Sequence, residues 1–110
     1  MRAVVVGCGY VGCALAGQLA DAGHEVAGVR RSTAGLKRVT AIDESVDAVR
    51  ADATVPATLE SLPDADAVVF AASAGGRGAD VAREVYVEGL RNVLEEYGTR
   101  ATPPDRLVYT

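Results

Sequence analysis

Gly7, Gly9 and Gly12 stand in the spacing Gly-x-Gly-x-x-Gly, directly after an apolar run at 3–6 and directly before a helix-forming stretch at 13–22. In that order the three glycines suit the holding of a pyrophosphate. Gly7 allows a tight turn off a strand, Gly9 lets the backbone approach the phosphates, and Gly12 lets the following helix pack closely on the strand. Tyr10 and Val11 then fall in the opening turn of the helix, where unpaired N–H groups and the positive end of the helix dipole face an anion. A strand before the triplet and a helix after it make a dinucleotide site the expectation.

A second group, Arg30, Arg31 and Ser32, closes the second apolar run. A carboxylate at that place accepts the ribose 2′-OH of NAD, whereas arginine accommodates a 2′-phosphate. Two guanidiniums beside a hydroxyl match a phosphate dianion in charge and in donor geometry, so NADP is the expected cofactor, with NAD the alternative.

The other reactive residue types lack a chemical context. His24, the sole histidine, falls in a turn with no second ligand at metal spacing. Cys8 and Cys13 lie in or beside the glycine turn and are read as small side chains tolerated where space is tight. Ser73 has no Ser-His-Asp setting and reads as a crevice hydroxyl. Arg77, flanked by glycines, is a candidate clamp for a phosphate or substrate carboxylate. Asp64 and Asp66 are expected to end a helix and begin a strand. Glu84, Glu88, Glu95 and Glu96 are expected on a solvated helix face, with Glu84 and Glu88 facing Arg91 at helical spacing.

These groups need strands and helices in strict alternation to bring them together. Apolar runs predict strands at 2–6, 25–29, 46–50, 67–72 and 106–110. Helices are predicted at 10–22, ending at Gly23 as its C′ residue, after Ser32 or Thr33 as N-cap, at 56–61 with Pro56 in the first turn, and at 79–97. Right-handed crossovers then give an α/β fold, a Rossmann-type doubly wound parallel sheet of order 3-2-1-4-5. Its crevice lies between strands one and four.

At 110 residues, 49% apolar and 24% charged, the chain suits a single globular domain spanning 1–110. A net charge of −4 argues against nucleic acid or an anionic membrane as partner. No apolar run is long enough to cross a bilayer, and two cysteines point to a reducing, cytoplasmic compartment. A fifth strand without a covering helix exposes a sheet edge. The expectation is an N-terminal part of a longer protein, or a chain completed by a partner such as a second copy in a homodimer.

The pattern Gly-x-Gly-Tyr-Val-Gly followed by Gly23-His-Glu-Val-x-Gly-x-Arg-Arg-Ser resembles the NAD-dependent epimerase/dehydratase group, the extended and atypical short-chain dehydrogenase/reductases. Ala51-Asp52-Ala53-Thr54, Ala67-Val-Val-Phe-Ala-Ala-Ser73, Tyr86-Val-Glu-Gly-Leu-Arg-Asn-Val-Leu94 and Arg106-Leu-Val-Tyr-Thr110 agree with it. The resemblance implies that Asp52, with Ala53 beside it, meets the adenine. It also places Ala71, Ala72 and Ser73 along the central crevice and the 75–78 loop near the nicotinamide. The substrate class it implies is a sugar nucleotide or a related small carbonyl or hydroxyl compound.

There are departures from that family. Typical extended members space the glycines Gly-x-x-Gly-x-x-Gly, Arg30 replaces the acidic residue of NAD users, and Tyr86 stands where many relatives carry Asn. The family's catalytic serine and Tyr-x-x-x-Lys pair are missing from these residues, Lys37 being the sole lysine. Without that pair the chain is expected to bind a cofactor but not to turn over a substrate. A second resemblance, to regulatory nucleotide-sensing modules that gate potassium transport, rests on the same glycines, on Asp52-Ala-Thr and on Ala65-Asp-Ala-Val-Val. Those modules end strand two with an acidic residue, unlike Arg30. A flavin or S-adenosylmethionine domain has no distinguishing residue here.

Overall fold

The computed structural model describes residues 1–7, 10–42, 44–71 and 79–109, and for 10–11 and 79–85 the backbone only. Among the described residues five strands and four helices alternate: β1 (Arg2–Val6), α1 (Tyr10–Asp21), β2 (Glu25–Arg30), α2 (Thr33–Thr40), β3 (Val46–Arg50), α3 (Pro56–Leu59), β4 (Ala67–Phe70), α4 (Ala79–Gly98) and β5 (Arg106–Tyr109). The strands form one sheet in the order β3-β2-β1-β4-β5, and every neighbouring pair is parallel. The expected strand order and reversal point between β1 and β4 are therefore present.

β1 is apolar without alternation because both of its faces are covered. Val4 and Val6 pack with Val68, Phe70, Leu59, Val93 and Tyr97 on the side of α3 and α4. Val5 points the other way and packs with Val26, Val69, Ala16 and Val39 under α1 and α2. Local signals set the ends of the helices. Ser32 caps α2, its Oγ accepting the Gly35 N–H at 3.1 Å. α1 closes at Gly23 as its C′ residue, with the His24 N–H donating to the Leu19 carbonyl and the Gly23 N–H to that of Ala20.

Some boundaries differ from those the sequence suggests. β2 runs one residue further, through Arg30, because its ladder to β3 continues to Arg50. α3 stops at Leu59 and β4 at Phe70. Glu96 is not on a solvated face: it is mostly buried and pairs with Arg100 at 3.7 Å. Arg100 also binds Asp64 at 3.1 Å and lies 4.3 Å above the Tyr97 ring. Glu88 and Arg91 are both exposed and form no ion pair with each other, while the Glu84 side chain lies outside the described residues. Asp66 stands directly before β4 and accepts the Arg2 N–H at 2.8 Å, whereas Asp64 lies in the connection after α3 and does not end a helix.

Candidate functional site

Gly7 leaves β1 with φ +82°, a backbone conformation that side chains disfavour. Its N–H still donates to the Val29 carbonyl at 3.1 Å, so the turn begins without breaking the sheet. Gly12 is buried within the first turn of α1. A Cβ there would lie 2.9 Å from the Gly7 carbonyl oxygen and 3.1 Å from Val5 Cγ1. Only glycine lets α1 settle on the end of β1, which holds the start of α1 over the turn. The residues present fit a pyrophosphate group: a left-handed glycine turn and a helix start pinned against it. Cys8 and Gly9, and the side chains of Tyr10 and Val11, lie outside the described residues.

The crevice opens where β1 and β4 end side by side, Val6 in register with Phe70. The Ala71 N–H donates to the Val6 carbonyl at 2.8 Å, carrying the pairing one residue past β4. Ala71 thus lines the end of the sheet beside Gly7. Ala72, Ser73 and the 75–78 loop with Arg77 lie outside the described residues.

At the end of β2 the structure brings together more positive charge than the sequence suggests. Arg30 is half-buried, and Arg31 and Ser32 are exposed. Arg50, at the end of β3, is the in-register neighbour of Arg30, and in-register residues of parallel strands project from the same face. Three arginines on one rim of a chain of net charge −4 concentrate positive potential where an anion would sit. Arg31 and Arg50 make no ion pair among the described residues. Sequence reasoning missed Arg50. The available signal was two strands, each ending in arginine, that the strand order makes neighbours.

Asp52 opens the loop after β3. Its Oδ1 accepts from the Thr54 N–H at 2.9 Å and from the Thr54 hydroxyl at 2.7 Å, closing a turn around the carboxylate. The Asp52 N–H donates to Thr58 Oγ1 at 2.9 Å, tying the loop to α3. Across from it, Asn92 Nδ2 donates to the Ala53 carbonyl at 2.8 Å. α4 therefore grips the segment that carries Asp52 and Ala53. Asn92 is the other residue the sequence did not expose, since its partner is 39 positions away.

A groove of about 750 Å³ lies at the opposite end of the sheet, lined by Met1, Arg2, Glu25, Asp64, Asp66 and Asp105 among others. Its carboxylates would repel a pyrophosphate, and in open parallel sheets ligands bind at the carboxyl ends of the strands. His24 lies near that end, its Nδ1 3.4 Å from the Met1 nitrogen. Tyr97, on the buried face of α4, donates its hydroxyl to the Pro63 carbonyl at 2.9 Å. Burial raises its pKa from 10.0 to about 12, partly offset by the Arg100 charge.

The model of the TrkA-N domain matches residues 3–95. The chain belongs to the TrkA-N domain family. No curated protein matches this TrkA-N domain in sequence. Among solved structures, Gre2 from Candida albicans in complex with NADPH superposes with a TM-score of 0.82 at 19% identity, over 99% of this chain and 36% of that one. UDP-galactose 4-epimerase gives 0.79 at 24% identity, over 99% and 37%. Vestitone reductase from alfalfa gives 0.76 at 18% identity, over 98% and 35%. At these identities the likeness is one of fold, and the TrkA-N domain spans little more than a third of each of these neighbours. The fold neighbours thus include a reductase and an epimerase. No helix among the described residues is long and apolar enough to cross a membrane.

Proposed function

We propose that the chain is the dinucleotide-binding domain of an epimerase/dehydratase-like oxidoreductase, with NADP as its preferred cofactor and NAD as the weaker one. The observation that carries this reading is the glycine turn: Gly7 at φ +82° and Gly12 packed where a Cβ would meet the Gly7 carbonyl at 2.9 Å. In the proposal, Gly7, Gly9, Tyr10, Val11 and Gly12 hold the pyrophosphate, and Arg30, Arg31 and Ser32 take the 2′-phosphate. Asp52 and Ala53 then bound the adenine, while Ala71, Ala72 and Ser73 line the crevice. The cofactor supplies hydride transfer when bound, and these residues supply binding and orientation. Neighbours of the same fold include an NADPH complex and an epimerase, which supports the reading.

Residues 1–110 contain no Tyr-x-x-x-Lys. The proposal therefore places acid–base chemistry on a sugar nucleotide or related small substrate in a longer, cytoplasmic protein of which this domain is the N-terminal part. A reading frame that continues past Thr110 into such a motif supports this, and a stop codon there opposes it.

Membership of the TrkA-N family favours a second reading, a regulatory nucleotide-sensing module without catalysis. The terminus of β2 separates the two, because such modules carry an acidic residue where this chain has Arg30. Calorimetric titration with NADP and NAD is the test. NADP binding at least tenfold tighter is expected from one additional charge-assisted contact, and equal or reversed affinities would favour the sensing module.

A further inference from the structure

Gly35 stands in the first turn of α2 and is buried, although it belongs to none of the motifs that define the site. Glycine is the poorest helix former after proline, and Gly35 does not have a positive φ. The reason for glycine here is therefore space. A Cβ at Gly35 would lie 2.6 Å from Arg30 Nε, 2.9 Å from Arg30 Cβ and 3.0 Å from Arg30 Cζ. Three atoms spread along one side chain converge on that point, so the Arg30 stem curves over the helix turn where a methyl group would otherwise stand. The same residue donates its N–H to Ser32 Oγ, which fixes the Ser32 side chain at this turn.

Resting on the 2′-phosphate reading above, we infer that Gly35 is a specificity-determining positioning residue. Its missing side chain seats the Arg30 guanidinium beside Ser32, so that both converge on the 2′-phosphate of NADP. Gly35 touches no cofactor atom and acts through Arg30. Alanine there would favour the helix but displace the guanidinium, separating cofactor preference from stability.

The test is a double-mutant cycle on the full chain, with dissociation constants for NADP and NAD measured by calorimetry and thermal melts for each variant. Gly35→Ala is expected to weaken NADP roughly tenfold, the worth of about one charge-assisted hydrogen bond, and to leave NAD within about twofold. In an Arg30→Ala background the same substitution is expected to change neither constant. An unchanged NADP:NAD ratio in Gly35→Ala, or the same loss with and without Arg30, would overturn the inference. If Gly35→Ala does not fold, Arg30→Lys serves instead, because it keeps the charge but removes the Nε and Cζ lodged over Gly35. Loss of the preference supports the seating, and a wild-type ratio overturns it. Wild-type protein with no preference for NADP would overturn the 2′-phosphate reading itself, which is visible before any variant is made.

Discussion

Arg30 carries the choice between two phosphate states of one cofactor. It closes β2 with its Cα in register with Arg50 and its stem over Gly35. Aspartate at this position would present a carboxylate to a ribose hydroxyl and repel a phosphate. Arg30→Asp is therefore expected to cost NADP at least tenfold in affinity and to narrow or reverse the NADP:NAD order, measured by calorimetry. Tyr97 makes a prediction of another kind. Its pKa is about 12 in the folded chain against an ordinary 10.0, so between those values the unfolded chain releases the phenolic proton and the folded chain keeps it. Stability is unaffected below pH 10 and falls as pH rises from 10 towards 12. Denaturant melts of wild type and Tyr97→Phe across that window should converge as pH rises, the substitution having removed this part of the slope. Parallel pH profiles would contradict the assignment.

At the scale of elements, two contacts set the geometry of the site. α1 rests on β1 through Gly12, and Gly12→Val would put a branched Cβ 2.9 Å from the Gly7 carbonyl oxygen and 3.1 Å from Val5 Cγ1. Overpacking of this kind costs about 1–3 kcal/mol, a fall of several degrees in Tm for a chain of this size, and dinucleotide binding should be lost with it. α4 grips the loop after β3 through Asn92 and the Ala53 carbonyl. Asn92→Ala removes one hydrogen bond and leaves the carbonyl to water, a loss of about 1 kcal/mol. If Asp52 and Ala53 bound the adenine, this substitution should weaken adenosine-containing ligands without altering the NADP:NAD ratio. A changed ratio would tie Asn92 to the phosphate end instead.

At the scale of the whole molecule, the fold was legible because its information is local. Continuous apolar runs such as 3–6 and 67–70 mark strands buried on both faces, and Gly23 and Ser32 mark helix ends within a few residues of their partners. Handedness and the alternation of elements then leave few strand orders, and the glycine turn after the first strand points to the one observed. What stayed hidden depends on register and on distant partners. Arg50 joins Arg30 only once β2 and β3 are aligned. Asn92 reaches Ala53 across 39 positions. Glu96 reads as a surface charge until Arg100, Asp64 and Tyr97 are seen around it. Gly35 is unremarkable until the Arg30 side chain is placed.

The same scale offers two ends of one sheet as binding places: the glycine-turn end, and the acidic groove formed by Arg2, Asp66, Asp105 and their neighbours. Two-dimensional amide NMR of the chain titrated with NADPH distinguishes them in one experiment. Saturable shifts are predicted at the amides of Gly7, Gly12, Arg31, Ser32, Asp52, Ala53 and Ala71, with those of Arg2, Asp66 and Asp105 unmoved. Shifts confined to the acidic groove, or none at millimolar NADPH, would contradict the assignment of the glycine turn as the dinucleotide site.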